Sequence, residues 1–176
     1  MIFSAVEHHA VLNCIPALEK AGFEITLLGV DKTGRVSMEE LKAACRKDTI
    51  LVAVMYVNNE VGTVEPAAEI GRLCRERGIL YHIDGVAAAG HIPVDVKELD
   101  AGMFSLSAHK FHGPRGIGVL YVGKDVPVAN LMFGGGQERT KRPGTQNVPG
   151  AAAMAKALCD SVATLEEQTR KLEQLR

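Results

Sequence analysis

Thr49-Ile50-Leu51-Val52-Ala53-Val54-Met55-Tyr56-Val57 is an apolar run with no polar alternation. A strand with one wet face alternates, whereas an unbroken run of this kind suits a parallel strand buried on both faces. Pro66 then opens a helix that puts Ala67, Ile70, Leu73 and Cys74 on one face, and Gly78 stops it. Ile79-Leu80-Tyr81-His82-Ile83-Asp84 reads as the next strand. Strand, helix and strand make one parallel crossover unit. Upstream, residues 23–30 read as a strand entered through Gly22. Ser37-Met38-Glu39-Glu40 is a capping box that opens a helix reaching about Arg46. Downstream, residues 103–107 and 118–122 read as two more strands. The alternation predicts an α/β fold, a mostly parallel sheet flanked by helices with right-handed crossovers.

The 176 residues are enough for one domain with a real core. The net charge of -1 argues against nucleic acid or an anionic membrane as partner. No apolar run reaches the length of a membrane span. Residues 1–7 carry neither a basic segment nor a leader-like apolar one. The four cysteines, Cys14, Cys45, Cys74 and Cys159, form no CxxC pair, which predicts reduced thiols and a cytoplasmic protein. Cys14 and Cys74 fall on apolar helical faces and are expected in the core. Residues 1–149 read as the α/β domain. Residues 150–176 read as one long helix, about 40 Å at 1.5 Å per residue. Met154, Leu158, Val162 and Leu165 form an apolar stripe on it that needs a surface to pack against.

The chemistry concentrates in Phe104-Ser105-Leu106-Ser107-Ala108-His109-Lys110-Phe111-His112-Gly113-Pro114. Lys110 lies between two histidines where a strand runs out into a loop. A partly desolvated, cation-flanked lysine loses proton affinity and becomes an amine nucleophile able to form a Schiff base, including one with pyridoxal phosphate. The alternative is an ordinary surface lysine. Ser107 and His109 could reach a phosphate near Lys110. Asp84 ends an apolar strand, either capping the turn that follows or offering a fixed anion to a cationic ring nitrogen. Asn58-Asn59-Glu60 reads first as a turn, and second as an amide aimed at a ligand. His8 and His9 sit at a helix start, where an imidazole can stack on a ring or move protons. A zinc reading of His109 and His112 fails because Gly113-Pro114 breaks the helix that would bring them together. Gly113 to Gly118 leads into a strand, so it is no dinucleotide fingerprint. Thr145, beside Arg139 and Arg142, could hold a phosphate.

These motifs together resemble the large, cofactor-binding domain of the cysteine desulfurases, in the class V aminotransferase group of fold-type I pyridoxal phosphate enzymes. The resemblance rests on Glu7-His8, Val57-Asn58-Asn59-Glu60-Val61-Gly62, His82-Ile83-Asp84, Ser107-Ala108-His109-Lys110, and Gly134 to Arg139 through Arg142-Pro143-Gly144-Thr145. It implies that Lys110 carries the cofactor and moves protons at the substrate carbon. His8 would stack on the pyridine ring, Asp84 would pair with its nitrogen, and Asn59 would position cofactor or substrate. Ser107 and His109 would bind the phosphate, and Thr145 would reach the phosphate in the other subunit of a homodimer. The implied reaction takes sulfur from L-cysteine, leaving alanine and an enzyme persulfide. A sulfur acceptor or scaffold protein would pass it to iron–sulfur cluster or thio-cofactor assembly.

The sequence departs from the family pattern in three ways. Ala87 stands where the family has a glutamine that bonds the cofactor's ring oxygen, and losing such a bond costs roughly 1.5–3 kcal/mol. The family's N-terminal phosphate-binding turn is not found here. Nor is its small C-terminal domain, with the nucleophilic cysteine loop and substrate-binding arginine, and none of the four cysteines matches that position. The expectation is a partial desulfurase, truncated at both ends and weak or inactive alone. The alternatives are a non-catalytic remnant or partner-dependent subunit, and a related lyase acting on selenocysteine.

Overall fold

A computed structural model describes residues 1–175 of the chain. In chain order the elements are β1 (Ile2–Ser4), α1 (His9–Leu12), α2 (Ile15–Lys20), β2 (Thr26–Leu28), α3 (Met38–Ala44), β3 (Leu51–Ala53), α4 (Ala67–Arg77), β4 (Leu80–Asp84), β5 (Met103–Ser107), β6 (Gly118–Val122), α5 (Val148–Ala163) and α6 (Leu165–Leu175). The strands form a six-stranded sheet in the order β2-β1-β3-β4-β5-β6. Every pairing is parallel except β5 with β6, so the sheet is mostly parallel and flanked by helices, as the alternation predicts.

The apolar runs settle at the centre for the reason their patterning gives. Val52 and Val54 of the β3 run are fully buried, and Leu51–Ala53 pairs with β1 on one side and β4 on the other. Ile70, Leu73 and Cys74 of α4 pack onto Tyr81, Ile83 and Phe104, with Leu41 of α3 completing the core. Burying a leucine of that kind contributes roughly 1.5–3 kcal/mol. Ser37 caps α3 by accepting a hydrogen bond from the Glu40 amide at 3.3 Å. Gly78 ends α4 in the left-handed conformation (φ 66), where a side chain is disfavoured.

Several sequence expectations change. Ile2–Ser4 carries too few residues for a periodic signal, yet it forms β1, a buried interior strand between β2 and β3. Strand β6 runs antiparallel because the link from Ser107 to Gly118 is too short to carry a parallel crossover. The helix expected over residues 150–176 begins at Val148 and is interrupted at Thr164 (φ -104, ψ 9); Arg176 lies outside the described residues. The Thr164 hydroxyl donates to the Asp160 carbonyl four residues back at 2.9 Å, a back-bond that bends helices. The apolar stripe finds a surface for part of its length. Met154 is buried against Ala89, Ala108 and Phe111, with Leu158 partly covered, while Val162 is exposed. Cys74 is buried as expected, but Cys14 is exposed, the N-cap of α2 rather than a residue of an apolar helical face. Among the described residues no helix is long and apolar enough to cross a membrane.

Candidate active site at the carboxyl ends of four strands

The topology puts the carboxyl ends of β1, β3, β4 and β5 side by side. Adjacent strands lie about 4.8 Å apart, so the four ends span about 15 Å. Open α/β sheets bind ligands in the crevice beyond these ends. Past β1 come Glu7 and His8, past β3 come Asn58 and Asn59, Asp84 closes β4, and Ser107 closes β5 just ahead of His109 and Lys110. Sequence-distant candidates are thus gathered along one edge of the sheet.

Asp84 is buried, and its Oδ1 accepts a hydrogen bond from the Val86 amide at 2.9 Å. The turn-capping role therefore holds for one oxygen. Among the described residues Oδ2 accepts none, which leaves a fixed carboxylate oxygen for another donor. Gly85 must be glycine. A Cβ there would lie 1.8 Å from the Phe104 ring, which packs directly beneath the turn.

His82 precedes Asp84 on the same pleated face and pairs with Ser105 through Nε2 and Oγ at 2.8 Å. Burial lowers the pKa of His82 from its ordinary value, against the opposing pull of Asp84, so the ring is held neutral.

Lys110 lies in a single 3-10 turn, Ala108–Phe111, in which Ala108 and Phe111 are the buried residues. Its side chain is exposed, which corrects the expectation of a lysine desolvated by its own chain. With the flanking apolar residues turned into the core, Lys110 and His109 are left on the open side. His91 Nε2 meets the Lys110 carbonyl at 2.8 Å. Ser107 Oγ and His109 Nδ1 lie 3.0 Å apart, so hydroxyl and imidazole form one polar unit next to the lysine.

His8 is the N-cap of α1, its Nδ1 accepting from the Ala10 amide at 3.1 Å. The neutral ring therefore carries its proton on Nε2. Asn58 is buried and serves the turn: Oδ1 accepts from the Glu60 and Val61 amides at 2.9 and 3.0 Å. Its Nδ2 donates to the Val6 carbonyl at 3.0 Å, joining the β3 exit to the β1 exit. Asn59 is exposed, its amide on Glu60 at 2.7 Å. Thr145 stands apart, exposed in the loop ahead of α5. No hydrogen bond joins it to the other candidates among the described residues.

Glu7 belongs to this edge in a way its sequence does not disclose. It is buried, and its Oε1 accepts from Ser4 Oγ and from the Met55 amide, both at 2.6 Å. Burial pushes its pKa up to about 7, against the lowering by those two bonds. A glutamate beside an exposed histidine gives no sequence signal of burial; only the neighbouring β1, itself missed, would have revealed it.

The family model described as Aminotransferase class-V matches residues 1–174. The chain is 47% identical over 176 residues to a protein named cysteine desulfurase IscS from Clostridium botulinum, covering all of this chain and 44% of that protein. Among solved structures, a NifS-like protein superposes with a TM-score of 0.95 at 42% identity, covering 99% of this chain and 49% of that one. A second, SspA in complex with cysteine, superposes at 0.86 with 38% identity, covering 89% and 46%. The chain thus spans less than half the length of these relatives. With that match over nearly all of its length, the chain belongs to the class-V aminotransferase family.

Proposed function

We propose that this chain is the pyridoxal phosphate-binding part of a cysteine desulfurase. The observation that carries the reading is the gathering of Lys110, Asp84, Asn59 and His8 at adjacent strand ends. The donor set suits the cofactor. A buried carboxylate with a free oxygen fits a pyridinium N–H, an exposed amine fits an aldehyde, and a hydroxyl–imidazole pair fits a phosphate. Bound there, pyridoxal phosphate would supply an electron sink for negative charge at the substrate carbon.

Lys110 would attach the cofactor and move the proton at the substrate carbon. Asp84 would hold the ring nitrogen and His8 would stack on the ring, its Nε2–H free to donate. Asn59 would position cofactor or substrate, and Ser107 and His109 would hold the phosphate. L-cysteine as substrate is supported by the relatives' name and by the relative solved in complex with cysteine. The products would be alanine and an enzyme persulfide, the sulfur passing through an acceptor or scaffold protein to iron–sulfur cluster or thio-cofactor assembly.

A homodimer, with Thr145 serving the phosphate of the other subunit, is supported by Leu131 and Phe133, 93% and 88% exposed in the loop that leads to Thr145. Residues 1–176 alone would bind cofactor without efficient turnover. Burial pushes the Cys74 thiol up to about 12 and raises Cys45 as well, so these two are not ready sulfur acceptors; Cys14 and Cys159 are exposed, at the start of α2 and within α5, and neither sits at a strand end of the site. Adding pyridoxal phosphate and recording its absorption tests the reading. A shifted band that Lys110→Ala abolishes supports it; no shifted band with folded protein refutes it.

A further inference from the structure

Two short segments outside the helices and strands carry candidate groups: residues 5–8 after β1, and residues 55–61 after β3, where Val57 bridges to Val64 and the Asn58 amide donates to the Thr63 carbonyl at 2.9 Å. Two buried side chains tie them together. Glu7 Oε1 takes both the Ser4 hydroxyl and the Met55 amide at 2.6 Å, bridging the segments. Asn58 Nδ2 returns the link to the Val6 carbonyl at 3.0 Å, while its Oδ1 shapes the turn behind Asn59. His8 follows Glu7 and Asn59 follows Asn58, so each candidate group is adjacent in sequence to one arm of the clasp. Glu7 Oε2 is buried with no hydrogen-bond partner among the described residues. A buried, unpaired carboxylate charge is costly, and a proton on Oε2 removes the charge.

We propose that Glu7 is a positioning residue for this site: its carboxyl clasps the β1 exit to the β3 exit and so fixes His8 and Asn59 at the site edge. The inference rests on the proposed roles of His8 and Asn59. The charged groups facing Glu7 are Asp84 at the end of β4 and Glu65 ahead of α4, both acidic, and each favours the neutral carboxyl. Tyr81 and His82 of β4 are both held neutral by burial. Ser4 and Met55 offer hydrogen bonds but no charge.

The whole chain, free of cofactor and labelled with 15N, provides the test through Glu7→Gln and Glu7→Ala. Glutamine keeps the neutral shape and the accepting Oε1; alanine removes the clasp. The expected results are tenfold or more loss of hydrogen-exchange protection at the Met55 amide in Glu7→Ala, with shifted His8 and Asn59 resonances. Glu7→Gln should stay within threefold of wild type, and the Leu73 amide in α4 should be unaffected in both. If Glu7→Ala is too unstable, Ser4→Ala removes one arm and should move the same resonances by less. Unmoved His8 and Asn59 resonances in Glu7→Ala, or a Glu7→Gln variant that behaves like alanine, would overturn the proposal. A parallel titration with pyridoxal phosphate should show the Kd raised at least tenfold by Glu7→Ala and less than threefold by Glu7→Gln. A wild type that binds no cofactor refutes the proposed function, while the exchange data still decide whether the clasp exists.

Discussion

Replacing Glu7 by glutamine should stabilise this protein at alkaline pH and leave it nearly unchanged at acid pH. Glu7 is buried, and its pKa rises from 4.5 to about 7, with burial the largest cause. A carboxyl raised in the fold binds more protons folded than unfolded between those values. Its favourable contribution is complete below about 4.5, fades as pH rises through about 7, and is gone above. The interval corresponds to about 3 kcal/mol. Glutamine reproduces the neutral carboxyl at every pH, so the gain should grow from about zero at pH 4.5 to about 2–3 kcal/mol at pH 8. Urea unfolding of both proteins across that range measures it, because titrating groups remote from Glu7 cancel in the difference and only its neighbours Asp84 and Glu65 add to it. A pH-independent loss in Glu7→Gln would refute the reasoning, since Glu7 would then be acting as a charge.

Other outcomes follow from single features of the structure. His82 acts in the opposite sense: its lowered pKa means stability is present above pH 6.5 and lost as pH falls through the folded value. His82→Gln should flatten that acid limb in the same urea series. Gly85→Ala should destabilise the fold by about 1–3 kcal/mol, because the new Cβ meets the Phe104 ring at 1.8 Å; an unchanged urea midpoint would contradict that packing. Thr140 is the third of three consecutive non-glycine residues at positive φ (49, 53 and 67), so Thr140→Gly should stabilise the fold by about 0.5–1 kcal/mol, seen as a higher thermal midpoint. Ser37→Ala should cost about 1 kcal/mol by removing the cap of α3, with helix loss seen by circular dichroism.

The sequence was most legible where its pattern had length. The run around Val52, the α4 face from Ala67 to Cys74 and the pair β5 and β6 lie where patterning puts them, because long-range burial and local preference agree there. It was least legible at β1, where three residues cannot display a period and the chain neighbours that bury them come from residues 26–28 and 52–53. Missing β1 also hid Glu7, whose burial depends on that strand's exit lying against Met55. Strand direction was likewise silent in the β6 residues and is set by the short link before them. Lys110 stands out in the sequence for its neighbours, but its exposure follows from which side of one 3-10 turn faces the core, which the pattern does not show.

The most direct test of the central claim is chemical. The protein is mixed with pyridoxal phosphate, reduced with borohydride, digested, and the modified peptides are identified by mass spectrometry. The account predicts a pyridoxyl group on Lys110, lost in Lys110→Ala and diminished in Asp84→Ala. Labelling spread over exposed lysines such as Lys97 and Lys124, with Lys110 no more reactive than they are, would contradict it.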